Sequence, residues 1–455
     1  MPSVDELLRT DAARELESEI GRDRTLRVIR SVSDKLRNEL ATRTGNHTRE
    51  SIISDIDKGL KAELASGSLS RLQRVINATG IVIHTNLGRS PFSPKAVDAI
   101  ETAAGYCNLE FDLNTGDRGR RGESAENFLA EIVGAEDAII VNNCAAAALL
   151  VLSVFAKGGH VIVSRGELVE IGGDFRIPDV LQQSGATLRE VGTTNRTKLA
   201  DYDRAICDET KAILRVHPSN FRITGFTSTP ELPDLADLAK QRGLLLFEDA
   251  GSGALVDLSS FGLGEEPVIR DSISEGADLV SFSGDKLIGG VQAGMIVGRA
   301  ELLSRLRKDP LYRALRPDKL TYAAIEATLD LFAKGAAFER IPVLRMLSMT
   351  ADEIETRAQS VVERLAERTG DTSQFEIVPG NSAVGGGAAP DVELPTFLIA
   401  VTPAGLSPDV LAKRLRQSKP PVIARIADER LLLDLRTVSP AEEAELIEAV
   451  STLLS

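Results

Sequence analysis

The stretch DLVSFSGDKLIGGVQAGMIVG, residues 278–298, reads as an apolar strand, a turn carrying Lys286 and Gly289-Gly290, and a second apolar strand. Runs of the same kind recur on its N-terminal side: DAIIV (137–141), HVIVS (160–164), TLREV (187–191), AILRV (212–216) and LLLFED (244–249). Between them lie helical stretches such as SAENFLAEIVG, CAAAALLVLSVFA and LPDLADLAKQRG. Continuous apolar strands alternating with helices predict an α/β fold, a mostly parallel sheet covered by helices on both faces. The pattern runs from residue 75 to about 335, where the helix KLTYAAIEATLDLFAKG leads into a smaller α+β portion, 336–455. That portion mixes helices (ADEIETRAQSVVERLAER, PDVLAKRLRQS, AEEAELIEAVSTLL) with a strand (TFLIAV) and two strands joined at Asp428-Glu429. The glycine-rich stretch NSAVGGGAAP (381–390) reads by composition as a flexible loop.

Residues 1–74 repeat apolar positions at spacings of three and four and predict a helical domain, broken at Gly45-Asn46 and Gly67-Ser68. They hold 14 Lys and Arg against 13 Asp and Glu, whereas the whole chain carries −14. Residues 21–49 alone hold eight basic and three acidic groups. The overall charge argues against a general binder of nucleic acid or anionic membranes, but not against a local basic surface.

A chain of 455 residues with 43% apolar content supports two or three domains and a large core. Cys107, Cys144 and Cys207 are widely spaced, and His47, His84, His160 and His217 are scattered. This usage suits a reducing cytosol and implies neither a disulfide scaffold nor a metal site. The polar start Met1–Thr10 is unlike a signal peptide, and the longest apolar run, Cys144–Ala156, is too short to span a bilayer, so a soluble intracellular protein is expected. G-x-G-x-x-G, G-x-x-x-x-G-K-[ST] and H-E-x-x-H are absent, which disfavours nicotinamide, P-loop and zinc-protease readings. Ser283–Lys286 formally matches S-x-x-K without the companion motifs of a penicillin-binding enzyme.

Three segments carry chemistry. IIVNNCAAAALLVL (139–152) is a strand, a turn at Asn142-Asn143 and a small-residue helix, whose free N–H groups at Asn143, Cys144 and Ala145 suit a phosphate; a plain packing turn is the alternative. LLLFEDAGSGAL (244–255) places Asp249 at the carboxyl end of a strand, where it can keep a pyridine nitrogen protonated or simply cap a turn. Lys286 in its turn is either a desolvated amine suited to a Schiff base or a surface lysine. In this order and spacing the three resemble pyridoxal-phosphate (PLP) enzymes of the aspartate-aminotransferase fold (fold type I).

The resemblance narrows on INATGIVIHTNLGRSPFS (76–93), GDRGRRGES (116–124), VNNCAAAALL (141–150), SRGELVEIGGDFRIPDV (164–180), VHPSNFRITGF (216–226), FEDAGSG (247–253) and SFSGDKLIGGVQAGMIVG (281–298). With these, the chain resembles bacterial L-seryl-tRNA(Sec) selenium transferases, the selenocysteine synthases. The resemblance implies conversion of serine on tRNA(Sec) to selenocysteine with selenophosphate, through a PLP-bound dehydroalanyl intermediate. It implies PLP on Lys286, with Asp249 at the ring, Asn143, Cys144, Ala145 and Ser283 around the cofactor, and Asn220 near the ring. Lys286 would be the general base. Arg89, Arg121, Arg313 and Arg316 would bind the substrate anion, with Asp285 ordering them. Arg313 and Arg316, three apart, would share a face if helical; pairing of these arginines with surface carboxylates is the alternative. The helical domain 1–74 would bind tRNA, by phosphates and shape because it lacks Phe, Tyr and Trp, or serve as an oligomer arm. A cytoplasmic, dimer-built homo-oligomer, a decamer, is also implied. Two other readings use the same cofactor residues: a PLP-dependent lyase acting on a small amino acid or amino-sugar phosphate, and a non-catalytic PLP-binding regulator.

Overall fold

The computed structural model describes residues 2–42, 48–65, 72–172, 175–403 and 405–454. The breaks expected at Gly45-Asn46 and Gly67-Ser68 lie outside the described residues. The chain forms two compact units, Met1–Val75 and Ile76–Ser455.

The first unit is helical: Val4–Leu7, Asp11–Ile20, Arg22–Thr42 and Arg49–Ala65. Ser3 and Thr10 cap the first two helices by accepting from the Glu6 and Ala13 N–H groups, which otherwise lack partners at a helix start. The apolar stripe set by the three–four spacing closes on itself, burying Leu7, Leu16, Ile29, Ile56 and Leu60. Gly59 lets the last two helices approach, since a Cβ there would lie 2.6 Å from Val32 Cγ1.

The second unit is built on a seven-stranded sheet in the order Asp137–Val141, Gly294–Gly298, Leu279–Ser283, Leu245–Gly251, Thr210–Val216, His160–Ser164, Thr187–Val191. Only Gly294–Gly298 runs antiparallel to its neighbours. Successive side chains leave opposite faces of a strand, and both faces are covered. Ala138, Ile140, Ile162 and Ile213 enter one core, while Ile139, Val141, Val161, Val163, Ala212 and Leu214 enter the other. Strands such as Asp137–Val141, Leu279–Ser283 and Gly294–Gly298 are therefore buried almost throughout rather than alternating, whereas the edge strand Thr187–Val191 stays partly exposed. All seven strands expected from the sequence are present.

A second sheet has the order Ile76–Ala78, Val422–Ala427, Arg430–Asp434, Glu393–Val401, Phe375–Gly385, Ile81–Ile83. Residues 76–83 thus belong by pairing to the sheet of the C-terminal portion, although they open the stretch read as the large α/β domain. The turn at Asp428-Glu429 joins its strands as expected, both residues taking positive φ. The flexible loop expected at 381–390 is corrected: Asn381–Gly385 is strand, paired with Glu393–Pro395 and with Ile81 and Ile83. Gly385, Gly386 and Gly387 have φ of 75°, 64° and 68°, and a Cβ on either of the first two would collide with Ile81 or Ile83. These glycines serve a close approach and a left-handed backbone, which composition cannot distinguish from flexibility.

Arg436, 2% exposed, fastens this sheet to the helix Pro342–Ser348 and its exit. Its guanidinium donates to the carbonyls of Met346 (2.7 Å), Met349 (2.8 Å) and Pro395 (2.6 Å) and to Ser382 Oγ (3.0 Å). Arg436→Met should therefore lower stability by about 3 kcal/mol, because buried acceptors lose a charged donor. Urea denaturation measures this. Among the described residues, no helix is long and apolar enough to cross a membrane.

Candidate active site

Parallel strands deliver their carboxyl ends to one edge of the sheet, and the chemistry-bearing residues gather there. After the strand Leu279–Ser283, the chain turns tightly. Gly284 N–H donates to Ala293 O (2.9 Å), Gly290 N–H to Gly284 O (2.9 Å) and Gly289 N–H to Lys286 O (2.9 Å). This turn holds Lys286 at 4% exposure, with Nζ 3.4 Å from Gly387 O. The Ser90 hydroxyl lies 2.7 Å from Asp285 O and 2.9 Å from Lys286 O, sharing its proton between them. Buried Ser283 immediately precedes the turn.

Asp249, in Leu245–Gly251, is 5% exposed. Its Oδ1 accepts from Cys144 Sγ (3.3 Å), Ser281 Oγ (3.1 Å) and Gly251 N–H (3.2 Å), which leaves Oδ2 available. Burial pushes the carboxyl above its ordinary range; those donors and the Lys286 charge pull it down. Burial, and then the Asp249 charge, push the Cys144 thiol well up, so it stays a neutral donor to the carboxylate.

Cys144 opens the helix Cys144–Phe155, capped by Asn143, whose side chain accepts from Ala146 N–H at 2.9 Å. The N–H groups of Cys144 and Ala145 have no intrahelical acceptor by position and suit an anion. A Cβ on Gly294 would collide with the Asn143 carbonyl, so this glycine lets the turn rest on the neighbouring strand. Asn220 donates to Glu170 O (2.7 Å), while its buried Oδ1 has no partner. A Cβ on Gly387 would lie 3.7 Å from Asn220 Cβ and 3.9 Å from Lys286 Nζ, placing all three around one space.

The arginines divide. Arg89, itself at φ 64°, donates to Asp285 Oδ2 at 2.7 Å, next to Lys286. Arg121 donates to Glu110 Oε1 (2.7 Å) and Pro317 O (3.1 Å). Its hydrogen bond and that of Arg118 hold the Glu110 carboxyl down at about 2. Asn142 N–H donates to Leu315 O (3.0 Å), which brings the Arg316 segment to the anion turn. The shared helical face expected for Arg313 and Arg316 is corrected: the helix is Pro310–Leu315, and Arg316 is extended (φ −64°, ψ 135°). Pro317 follows, and the residue before a proline is driven from the helical region. Among the described residues, Arg89 thus pairs with the buried Asp285 expected to order it, Arg121 pairs with the part-buried Glu110, and neither Arg313 nor Arg316 has a carboxylate partner.

Sequence reasoning missed Ser90, Ser281, Gly294 and Gly387. Ser90 stood in the quoted motif HTNLGRSPFS; Ser281 shares a strand with Ser283, two residues earlier on the same face. Nothing in the glycine run 385–387 pointed to the lysine.

This α/β architecture, with a free helix start, a buried carboxylate and a buried lysine at the sheet's carboxyl edge, is that of the PLP-dependent transferase fold. A solved D-glucosaminate-6-phosphate ammonia-lyase shares the fold at TM-score 0.59 and 21% identity, over 84% of this chain and 96% of that one. The chain belongs to the L-seryl-tRNA selenium transferase family, a family of PLP-dependent enzymes, whose profile matches residues 75–439. The selenocysteine synthase N-terminal profile matches residues 2–37. Among its relatives, the L-seryl-tRNA(Sec) selenium transferase of Geobacter sulfurreducens is 47% identical over all of this chain and 99% of that protein. That of Carboxydothermus hydrogenoformans is 44% identical over 97% and 94%.

Proposed function

We propose that this chain converts L-seryl-tRNA(Sec) to selenocysteinyl-tRNA(Sec) in the cytoplasm, with PLP joined to Lys286 and selenophosphate as donor. The observation that carries the reading is the buried Lys286 amine, whose charge acts on the buried Asp249 carboxylate at the same edge of the sheet, in a chain of this family. The residues fit the cofactor: an available Oδ2 on Asp249, the partnerless Oδ1 of Asn220, and the unpaired N–H groups of the Cys144–Phe155 helix start. PLP supplies an electron sink for loss of the serine Cα proton. The Asp249 carboxylate would keep the pyridine nitrogen protonated, with the Cys144 and Ser281 donors orienting its Oδ1. Asn143, Cys144 and Ala145 bind the phosphate, Ser283 lines the same site, and Asn220 orients the ring. The Lys286 amine would serve as the general base, taking the serine Cα proton and returning it.

Arg89, Arg121, Arg313 and Arg316 bind the selenophosphate oxygens; a guanidinium fork matches such an anion in two directions. Asp285 holds Arg89 in place. Residues 1–74 bind the tRNA through phosphates, residues 75–335 form the PLP-binding domain apart from 76–83, and 336–455 form the small domain, to whose sheet 76–83 pair. The working form is a dimer-built homo-oligomer, a decamer. Incubation with seryl-tRNA(Sec) and selenophosphate, assayed for selenocysteinyl-tRNA, tests the reading; a lyase for a small amino acid or amino-sugar phosphate leaves the tRNA unchanged. Gly294→Ala should weaken PLP binding by about tenfold or more, a loss of about 1.4 kcal/mol, because the phosphate turn must move. Cofactor titration of the apoprotein measures it.

A further inference from the structure

Side chains from two stretches far apart in sequence meet at the amino-terminal ends of the central strands, across the sheet from Lys286. His160 opens the strand His160–Ser164, and Cys207 and Glu209 lie in the turn entering its parallel neighbour Thr210–Val216. One ligand atom from each lies within 4.8 Å of the others. His160 Nδ1 is 3.4 Å from Cys207 Sγ. Backbone bonds preset the cluster: Cys207 N–H donates to Thr210 Oγ1 (3.0 Å), Thr210 N–H to Cys207 O (3.0 Å), and His160 N–H to Glu209 O (2.9 Å).

We propose that His160, Cys207 and Glu209 form a site for a thiophilic divalent cation, Zn2+, with water in the fourth position. Tetrahedral zinc with bonds of about 2.0 Å to nitrogen and about 2.3 Å to sulfur separates those two atoms by about 3.5 Å, matching the observed pair. A thiolate and a carboxylate balance the double charge, and neutral imidazole is a common third partner. Arg189 Nη1, 3.7 Å from Sγ, supplies an outer hydrogen bond without ligating the metal. Sequence spacing argued against any metal because His160 and Cys207 are 47 positions apart. Adjacent parallel strands remove that separation. Since the seven-residue strand Thr210–Val216 spans roughly 20 Å, the site is separate from the chemistry and acts by pinning the Cys207–Thr210 turn.

The test uses full-length, PLP-loaded protein, stripped with a chelator and titrated with Zn2+ against a chromophoric competitor. One Zn2+ per chain is expected, with a rise in Tm on binding. Cys207→Ser should weaken binding by about 100-fold and Glu209→Gln by about 10-fold or more, while Cys107→Ser leaves it unchanged. Absorbance of the bound PLP, unaltered in each variant, certifies the fold, and exposed Glu209 supplies a readout should Cys207→Ser misfold. Absence of saturable binding, or affinity unmoved by Cys207→Ser and Glu209→Gln, overturns the proposal and leaves a thiol–imidazole hydrogen bond.

Discussion

Lys286→Ala should abolish the borohydride-trappable absorbance of the protein and lower selenocysteinyl-tRNA formation by about 10⁴-fold or more. Two functions are lost with one amine. General acid–base catalysis alone is worth about 10²–10⁴-fold, and the covalent tether that seats the cofactor goes with it. The surroundings are built for that amine: a nearly closed turn, the Ser90 hydroxyl holding the adjacent carbonyls, and the Gly387 carbonyl 3.4 Å from Nζ. Single-turnover assays with the charged tRNA, alongside spectra before and after borohydride, separate trapping from turnover. A variant that still traps the cofactor would place the Schiff base on another lysine.

Asp249→Asn should reduce turnover by about 10²–10³-fold, the scale for losing one preorganised electrostatic partner of the transition state, while PLP still binds. The same substitution has an opposite effect on the apoprotein. Because burial raises the Asp249 carboxyl, the folded state holds its proton to higher pH than the unfolded chain does. Stability attributable to this group is therefore greatest below the unfolded-state pKa of about 4, and it falls as pH rises through the folded-state value. The Asn variant lacks that decline. Urea denaturation of both apoproteins across the acid-to-neutral range checks the sign: at neutral pH the variant should gain on the wild type. A loss of apo stability that grows with pH would mean that the carboxylate is a net stabilising partner without cofactor.

The helices and strands were legible in the sequence because each depends on local periodicity. Both faces of the central sheet are covered, so runs such as DAIIV and HVIVS are apolar without alternation and stand out. Lys286, Asp249 and the Asn143–Ala145 turn were legible because each sits just beyond the carboxyl end of such a run. The arginines were less so. Arg89 and Arg121 stood in recognisable motifs, yet the Glu110 and Asp285 partners that hold them lie 11 and 196 positions away. Arg313 and Arg316 would share a face only within one helix, and the helix ends at Leu315 because Pro317 keeps Arg316 extended.

By itself, then, the order of residues determined the α/β class, the candidate lysine and carboxylate, and the family, since these depend on short stretches read along the chain. Only the tertiary structure decided that residues 76–83 complete the C-terminal sheet, that Gly387 faces Lys286 across 101 positions, that Cys144 donates to Asp249, and that His160 adjoins Cys207. The reason is geometric. Parallel strands need long crossover connections, so neighbours in space are distant in sequence, and no local pattern records which of them will touch.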